Sequence, residues 1–579
     1  MRSLIESTIL EGGRGDYRLV RPLETIEIPA TVQTVLAARI DRLAERERGV
    51  LQTAALIGKE FSWPILERVA DLSAGDLSAA LAGLEKAEFI FERSLYPEPE
   101  YAFRHPLTQE VALHSQLSDR RRRAHAAIAG AIAKLRASRL DEEAGVLAYH
   151  WEEAGQALEA ARWHRRAARW TEETDPSESI RRCYKVRALL AGAVDSPETI
   201  ALYIEACRGI LSAAWRVGGS DVDVVFAEGK RLAEQSGDLR SVAILFNVYG
   251  NAKGSAGDLR AYHEHASEAL RVAGRTGDPM LSAALASDAH PFCWTGRLRE
   301  AVRLCEQAIA LGPDDLSLGR DVFGVSAYLL GSMFRGMALV EMGLLEEASS
   351  DLDRASEHPA EQPTPFIWAQ AWHVVRAYRS GDVSGALAYA RRTLERAEGV
   401  GDTVTKVLAH VVLGVALVAN EEWNAAEDAE RRALEIARKS RVGFGVTAWA
   451  LRFLAEARLG RGDSPAALEL ADEALAEARQ SGGRLFEMDT LLTRARARLR
   501  SEGARGAAEA QRALAEAREL ITETDAHCRD PVVHEVSAEI AGLLGDAATR
   551  DRELREAHRR LVEMGAPAHA ERLAREIAS

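Results

Sequence analysis

The feature that most constrains this sequence is a short pattern that recurs about every forty residues. In each copy, a polar or glycine-containing turn precedes a small residue that opens a helix. Successive copies are separated by 40, 47, 38, 40, 41 and 41 residues, and they lie near Ala261, Ala301, Ala348, Ala386, Ala426, Ala467 and Ala508. Such a period accommodates two helices with their turns, and one pair cannot bury its apolar face alone. The spacing therefore predicts stacked helix pairs.

The copy around Ala467 shows how each helix is specified. Ser464 is the predicted N-cap, and Pro465 fits the first helical position. Four alanines then share one helical face: Ala467, Ala471, Ala474 and Ala478. Alanine carries little apolar area, so this face permits close approach of a neighbouring helix. We predict a mainly α fold, with a TPR-like (tetratricopeptide-like) α-α superhelix over residues 156–530 and C-terminal capping helices over residues 531–579.

Length and charge limit the classes of function. A chain of 579 residues is too long for one core, so we expect several domains or a repeat array. Aromatic residues make up only 6%, which suits helices packed through alanine and leucine. The net charge of -14 repels phosphate backbones, so nucleic acid is not an expected partner.

Cysteine usage and hydropathy predict a cytoplasmic protein with no membrane partner. The five cysteines are scattered and form no CxxC pair. No signal segment opens the chain, and the longest apolar run, near residues 411–419, is far shorter than the ~20 residues of a membrane helix. His114, His125 and His150 are spaced too widely for a local metal motif, so no metal site is expected.

Residues 46–120 have the pattern of a winged-helix domain. Three predicted helices (48–57, 63–70 and 74–87) precede two extended segments (89–92 and 100–103), which form the wing. From residue 73 to residue 104 there are six acids and three bases. A surface that reads a DNA groove needs the opposite balance, so a structural or nucleotide-sensing role is favoured. Residues 121–155 are predicted to supply linking helices and the first repeat helix.

Three segments resemble the region that follows the ATPase core in bacterial STAND-type proteins. They are Ile28-Pro29-Ala30-Thr31-Val32-Gln33, the run from Leu51 to Phe61, and the run from Phe103 to Ala112. The family resembled most is that of large adenylate/guanylate cyclase proteins in which cyclase, AAA-like ATPase, winged-helix and TPR-like parts follow one another. This resemblance covers residues 1–155 and implies that residues 1–45 are a remnant of the helical lid of an ATPase domain.

The resemblance also implies a role for His105 and the adjacent Arg104. In related STAND ATPases, a histidine that opens the helix after the wing reaches the phosphates of bound ADP, and His105 matches that position. An imidazole N–H directed at a phosphate is a charge-assisted contact. The alternative is a histidine that is satisfied at a packed domain junction.

No catalytic motif accompanies this resemblance. The Gly58-Lys59 and Gly229-Lys230 pairs lack the first glycine and the Ser or Thr of a P-loop. No β-rich domain is predicted that carries the metal-binding aspartates of a cyclase. We therefore predict no catalytic residues and no cofactor in this chain. ATP or ADP would bind only if an ATPase domain is supplied in cis or in trans.

Aromatic residues on the first helices of the predicted pairs suggest where a partner binds. Trp368, Trp372 and Trp449 would lie on the concave side, where a protein, peptide or small signal ligand could dock. The alternative is that they fill the core between pairs. The resulting hypothesis is a non-enzymatic regulatory arm of a STAND-type signalling ATPase. Two alternatives are part of an adenylate/guanylate cyclase whose catalytic domains are absent here, and a STAND-type transcriptional regulator.

Overall fold

The computed structural model describes residues 10–13, 16–19, 30–96, 98–172, 174–219, 221–399 and 402–578. The chain divides into two compact units, Met1–Ala167 and Ala168–Ser579, called here the N-terminal and C-terminal units. Helices dominate both units. The finer division into five segments that the sequence predicts stays a prediction.

The N-terminal unit combines helices with two small sheets. Its helices are α1 (Ala30–Asp41), α2 (Glu45–Ile57), α3 (Trp63–Val69), α4 (Ala74–Lys86), α5 (Pro106–His114), α6 (Ser118–Leu135), α7 (Ala144–Glu153) and most of α8 (Ala157–Thr171). Its strands are β1 (Leu10–Gly13), β2 (Asp16–Leu19), β3 (Glu60–Ser62), β4 (Ile90–Ser94) and β5 (Glu100–Phe103). Strands β1 and β2 form an antiparallel hairpin, and the other three form an antiparallel sheet in the order β3-β5-β4.

Three helices followed by a hairpin are confirmed between residues 45 and 103. Ser73 caps α4, because its hydroxyl accepts a hydrogen bond from the backbone N–H of Asp76. The short strand β3 was not predicted from the sequence. Its middle residue Phe61 pairs with Tyr101, and the two rings stack with their centroids 5.8 Å apart. Three residues are too few to show an alternating pattern, so only the pairing reveals this strand.

The C-terminal unit consists of helices joined by short turns. They are α9 (Pro176–Leu190), α10 (Pro197–Val217), α11 (Val222–Ser236), α12 (Leu239–Ser255), α13 (Leu259–Thr276), α14 (Pro279–Ser287), α15 (His290–Trp294), α16 (Leu298–Leu311), α17 (Arg320–Phe323), α18 (Ala327–Met342), α19 (Leu345–Ala355), α20 (Pro363–Ser380), α21 (Val383–Glu398), α22 (Thr403–Ala419), α23 (Trp423–Ser440), α24 (Thr447–Gly460), α25 (Ser464–Ser481), α26 (Arg484–Glu502), α27 (Ala507–Thr524), α28 (Asp530–Leu543), α29 (Ala547–Glu563) and α30 (Pro567–Ala578).

These helices alternate between two environments. The first helices of the pairs (α18, α20, α22, α24, α26 and α28) pack on one another in sequence order. The second helices (α19, α21, α23, α25, α27 and α29) each pack mainly on the first helices beside them. The seven alanines of the recurring pattern all lie in the opening turn of a helix, as predicted. The helix-pair array is therefore confirmed in outline.

The longest interval in the pattern, 47 residues, contains an insertion. Helix α16 ends at Leu311, and the one-turn helix α17 precedes α18. Gly319 and Gly324 flank α17 with φ values of 82° and 77°, a conformation that favours glycine. The extra residues therefore form a compact turn without disturbing the order of the pairs.

The predicted N-cap at Ser464 is wrong by one residue. The cap of α25 is Asp463, whose carboxylate accepts a hydrogen bond from the backbone N–H of Ala466, and Ser464 is the first helical residue. A Gly-Asp pair precedes seven of the helices, α12, α13, α14, α21, α22, α25 and α29, and in each case the aspartate is the cap. The carboxylate also interacts favourably with the helix dipole.

Early and late parts of the C-terminal unit meet across its interior. Gly443 donates its backbone N–H to Ser255 Oγ at 3.3 Å, and Arg260 donates to the carbonyl of Gln480 at 2.8 Å. Farther along, His569 Nε2 lies 3.1 Å from the carbonyl oxygen of Tyr378. These partners are separated by 188 to 220 residues. The first helices are therefore covered by later segments of the chain.

Candidate ligand-binding interior of the C-terminal unit

The three tryptophans predicted to bind a partner lie in this covered interior. Trp368, Trp372 and Trp449 are only 6%, 3% and 7% exposed. The rings of Trp372 and Trp449 stack with their centroids 5.9 Å apart. In this conformation the three rings belong to the core, and partner binding through them stays a prediction.

The tryptophans form part of a continuous row of rings through the interior. His290 packs against Trp368 and Trp294, with centroid distances of 5.1 and 3.8 Å. Phe486 then joins Trp294 to Trp449, at 5.6 and 6.1 Å. The row therefore connects helices that lie about 200 residues apart in the sequence.

A cavity of about 130 Å³ lies at one end of this row, and we call it the apolar chamber. Most of its wall is apolar and includes Val248, Leu330, Met333, Phe334, Trp368 and Val404. Its polar residues include Arg216, Asn251, Tyr262, Asp288, His290 and Trp294. Concave, mainly apolar sites with a few polar groups are typical of small-ligand pockets.

The acidic group of the chamber is already fully engaged. Asp288 Oδ2 accepts hydrogen bonds from Asn247 at 3.1 Å and from Asn251 at 2.9 Å. The Tyr262 hydroxyl donates to Asp288 Oδ1 at 3.2 Å. Burial raises the pKa of Asp288 despite these hydrogen bonds. Burial, together with the neighbouring Asp288, also raises the pKa of Tyr262 well above its ordinary value.

Several donors of the chamber have no partner among the described residues. They are the buried atoms His290 Nε2, Trp294 Nε1 and Arg216 Nε. His290 and Trp294 are only 6% and 5% exposed. Burial lowers the pKa of His290 to about 3, so its ring is neutral at physiological pH. Buried polar atoms without partners are rare, and these three are buried against protein rather than open to the chamber.

A buried ionic network lies farther along the interior. Asp489 on α26 accepts hydrogen bonds from Arg379 on α20 at 3.0 Å and from Arg529 at 2.9 Å. Arg529 also pairs with Glu341 on α18. The side chains of all four residues are at most 9% exposed. The network therefore joins first helices of the early pairs to residues near the end of the array.

The network fixes the ionisation of Asp489. Burial alone would raise its pKa, but the charges of Arg379 and Arg529 outweigh burial and hold the pKa below its ordinary value. Asp489 and Glu341 raise the pKa of Arg529, although burial opposes this shift. Both residues are thus charged at neutral pH, and removing one leaves the others buried without compensation.

A second cavity, of about 380 Å³, borders this network and is lined by Arg379, Arg452 and Arg496, among others. The side chain of Arg496 makes no hydrogen bond or ion pair within the described part of the chain. Nearby Glu456 and Glu535 raise its pKa, although burial opposes them. These carboxylates balance its charge at longer range, so the cavity carries no uncompensated positive charge.

The predicted nucleotide-sensing residues lie in the N-terminal unit. His105 immediately precedes α5 and, like Arg104, is exposed. Its side chain makes no capping hydrogen bond to the helix. An exposed imidazole at a helix N-terminus is compatible with a phosphate contact. Nucleotide sensing by this pair stays a prediction.

The structure brings together two histidines that the sequence places far apart. His125 on α6 and His150 on α7 lie with their Nδ1 atoms 2.9 Å apart, whereas His114 is exposed. Burial lowers the pKa of His125 to about 4 and that of His150 to about 3. Both rings are therefore neutral at pH 7, and one Nδ1–H donates to the other Nδ1. In the described part of the chain, no group of three or more potential ligands could hold a metal ion.

Apart from Trp368, the residues of the chamber and the network were not identified from the sequence. Glu341 and Arg379 are each the next-to-last residue of a mainly buried first helix, and this is a detectable signal, because a charge in such a helix needs a buried partner. Asp288 lies in the turn between two short helices and His290 opens the second of them, and neither residue carries a comparable signal. Among the described residues, no helix has the length and apolar character needed to cross a bilayer.

Comparisons with known proteins give fold-level likenesses only. No family model matches the sequence, and no curated protein matches it. A Rap protein complexed with competence and sporulation factor is 12% identical, with 63% of this chain and 99% of that chain covered and a TM-score of 0.46. The Cut9-Hcn1 hetero-tetramer of the APC/C gives 12% identity, 78% of each chain and a TM-score of 0.44.

A STAND protein with a tetratricopeptide repeat sensor, from Pyrococcus horikoshii, is also similar. It is 13% identical, with 96% of this chain and 69% of that chain covered and a TM-score of 0.33. At these identities and TM-scores, none of the three likenesses supports an argument about this chain. The functional argument therefore depends on its own geometry.

Proposed function

We propose that the C-terminal unit is a non-catalytic regulatory arm that binds a protein, a peptide or a small ligand in its interior. The observation that carries this proposal is the apolar chamber, which is lined by residues of several helices. Its wall runs from Ser212 on α10 to Val404 on α22. An occupant would therefore contact several helix pairs at once and favour the closed arrangement of the interior.

Such binding couples occupancy to the conformation of the whole array. A ligand that binds only the closed form stabilises it by RT ln(1 + [L]/Kd), which is about 2.7 kcal/mol at a concentration of 100 times Kd. The buried network of Glu341, Arg379, Asp489 and Arg529 joins α18 and α20, which also line the chamber, to later segments of the chain. Ligand and network thus act on one closed interior.

For the N-terminal unit, the proposal is a winged-helix module that belongs to a STAND-type signalling ATPase. Three helices and the antiparallel order β3-β5-β4 support it. In this proposal His105 and Arg104 contact the phosphates of a nucleotide that an ATPase domain holds in cis or in trans. In the cyclase-linked form of this proposal, the output signal would be made by cyclase domains that are absent from this sequence.

The described thiols support a non-catalytic role. All five cysteines are buried. Burial raises the pKa of Cys207 to about 12, and it raises that of Cys528 to about 12 as well. A thiol needs a lowered pKa to act as a nucleophile at neutral pH. These two residues are therefore packing groups.

Calorimetry on the full chain tests this proposal. Titration with ATP or ADP in the presence of Mg²⁺ is expected to give no tight binding, and incubation with ATP is expected to release no phosphate above the protein-free control. Micromolar nucleotide binding together with hydrolysis would contradict a non-catalytic arm.

A further inference from the structure

We propose that the second cavity, the one that borders the buried network, binds an apolar α-amino acid whose carboxylate contacts Arg496. This inference rests on the proposed ligand-binding function, and it adds a site in the interior and the chemical class of its ligand. Three observations support it: an open guanidinium without a partner, open carboxylate oxygens near it, and an apolar wall around both.

The second cavity lies among the first helices of successive pairs. The last two helices, α29 and α30, supply part of its wall, and the rest includes Tyr378 on α20, Val418 on α22, Arg452 on α24, Leu492 on α26 and Val532 on α28. Its volume of about 380 Å³ is within the usual range of small-ligand sites. A cavity of about 150 Å³ takes up benzene, so this one accommodates a large apolar side chain together with a charged end.

The side chain of Arg496 faces this cavity. Leu492 and Arg496 are four residues apart on one face of α26, and both line the cavity. The guanidinium has no hydrogen-bond or ion-pair partner among the described residues, and unlike Arg379 Nε, none of its nitrogen atoms is enclosed by protein. Glu456 and Glu535, whose charges act on it most strongly, line the same cavity. The donors of Arg496 are therefore open to a ligand.

Two carboxylates near this guanidinium also have an open oxygen. Glu456 Oε1 accepts hydrogen bonds from Arg452 at 3.4 Å and from Thr493 at 2.6 Å. Glu535 Oε2 accepts one from Arg572 at 2.7 Å. The other oxygens, Glu456 Oε2 and Glu535 Oε1, have no partner among the described residues, and neither is enclosed by protein. The cavity thus presents unused acceptors as well as unused donors.

These groups select a ligand that carries both charges. Because the charge of the cavity is already balanced, a ligand without net charge fits better than an anion or a cation. A carboxylate accepts two hydrogen bonds from the planar fork of Arg496. An ammonium group beside that carboxylate can donate to Glu456 Oε2 or Glu535 Oε1. An α-amino acid carries the two groups on the same carbon atom.

The rest of the wall favours an apolar side chain on the ligand. Val418, Leu492, Leu561 and Met564 line the cavity and are at most 9% exposed. Burying an apolar side chain against them is favourable, whereas a polar side chain would lose its hydration there without replacement. We therefore expect leucine, methionine or phenylalanine rather than a polar amino acid.

Water and the C-terminus of a peptide are the alternative occupants. Water can bind to Arg496, but it gains nothing from the apolar wall. A peptide C-terminus supplies a carboxylate without an ammonium group beside it. Derivatives of the amino acid that lack one charged group distinguish these occupants.

Calorimetry on the full chain uses L-leucine, L-methionine and L-phenylalanine as probes. At least one of them is expected to bind saturably. Its N-acetyl derivative, which lacks the ammonium group, and its amide, which lacks the carboxylate, are each expected to bind at least about tenfold more weakly. Absence of binding by all three amino acids would show that the cavity holds water only and would overturn the inference. Equal affinity for the N-acetyl derivative would overturn it in favour of a peptide C-terminus.

Arg496→Gln tests the contact to the carboxylate. It is expected to weaken the best amino acid by at least about tenfold. It should not lower the thermal midpoint, because the guanidinium has no direct partner among the described residues. The matched control is Arg494→Gln, which lies two residues away on nearly the opposite face of α26, where Arg494 pairs with Asp472 on α25. This control should stay within about twofold of the wild type, and equal losses in the two variants would contradict a role of Arg496.

A filling variant gives an independent check if Arg496→Gln folds poorly. Val532→Phe adds volume to the wall of the cavity and is expected to exclude the amino acid while the far-ultraviolet circular dichroism spectrum is retained. Binding that survives Val532→Phe at wild-type affinity would place the amino acid elsewhere and overturn the inference.

Failure of this inference and failure of the proposed function give different results. If no amino acid binds and nucleotides do not bind either, the ligand class is wrong but a non-catalytic arm remains. If nucleotide binds and is hydrolysed, the proposed function itself is wrong, whatever the amino acids do.

Discussion

The first and second helices of the array differ sharply in burial. Fourteen of the sixteen residues of α18 are buried, and thirteen of the eighteen residues of α20. In the second helices that follow them, only five of eleven residues of α19 and four of sixteen of α21 are buried. An open solenoid would leave one side of its first helices in water. In this unit the later segments cover that side.

Ion pairs on the second helices and in the interior also differ in exposure. Arg432 and Glu435 on α23 form an ion pair whose side chains are 55% and 63% exposed. Asp489, by contrast, holds two arginines in an interior where it is only 9% exposed. Exposed pairs contribute little to stability, whereas breaking a buried pair leaves a desolvated charge. The difference in burial therefore predicts a difference in mutational cost.

The largest effect is expected from Asp489→Ala. This change leaves Arg379 and Arg529 buried without their shared carboxylate. We expect the free energy of unfolding to fall by about 3–5 kcal/mol, measured by urea denaturation. The matched control is Arg432→Ala on the second helix α23, which should change it by less than about 1 kcal/mol. Equal costs at both positions would contradict a buried network.

The second-largest loss of stability is expected from truncating a buried apolar side chain. Met337 on the first helix α18 is fully buried, so Met337→Ala is expected to cost about 2–5 kcal/mol through lost burial and a new cavity. On the second helix α29, Val562 is 58% exposed, and Val562→Ala should stay within about 0.5 kcal/mol. Urea midpoints of the two variants compare the layers directly. A similar loss at Val562 would mean that the second helices are covered too.

Glu430 is an exception that sharpens the contrast, because it lies on the second helix α23 and is fully buried. Neither carboxylate oxygen has a hydrogen-bond partner among the described residues. Burial raises its pKa well above the ordinary value of 4.5, although Arg452 opposes the shift. The folded protein thus binds a proton that the unfolded chain releases above about pH 4.5.

This proton makes stability depend on pH in a defined direction. Its contribution is complete below the unfolded pKa and is lost as the pH rises toward the folded pKa, by up to about 1.4 kcal/mol per pH unit. Glu430→Gln is expected to remove this dependence, so the variant gains on the wild type as the pH increases from 5 to 8. Urea midpoints across that range measure the effect. Parallel pH profiles would show that Glu430 is ionised in the folded state.

The smallest effect is expected at a helix cap. Asp382 Oδ1 accepts a hydrogen bond from the backbone N–H of Gly385 at 2.9 Å at the start of the second helix α21. Asp382→Ala should cost about 1 kcal/mol, while Asp382→Asn, which keeps the acceptor, should cost less. Thermal melts rank the two variants. A larger loss than that of Met337→Ala would place the caps, rather than the covered interior, at the centre of stability.

Local signals predicted much of this fold. The seven alanine-marked turns located helices correctly because the pattern depends on turn and cap chemistry within a few residues. The strand β3 was missed because it is specified by its pairing with β5 rather than by its own residues. The cap of α25 was misplaced because Asp463 and Ser464 are both good acceptors and only the geometry distinguishes them.

Local sequence signals did not predict which residues meet in the interior. Trp294, Trp368 and Trp449 meet in one row of rings only because early and late helices close on each other. Arg260 and Gln480 show the same closure at a sequence separation of 220 residues. A helical period fixes which residues share a face, but it does not fix how many pairs complete a turn of the array. Only the structure therefore shows which early and late helices face each other in the interior.

Hydrogen exchange, measured by mass spectrometry on the full chain, tests the covered interior most directly. Amides of α18, α20, α24 and α26 are expected to exchange more slowly than those of α19, α21, α25 and α27, and early and late first helices should be protected to a similar degree. Exchange of the first helices at the same rate as the second helices would contradict the closed interior on which the proposed function depends.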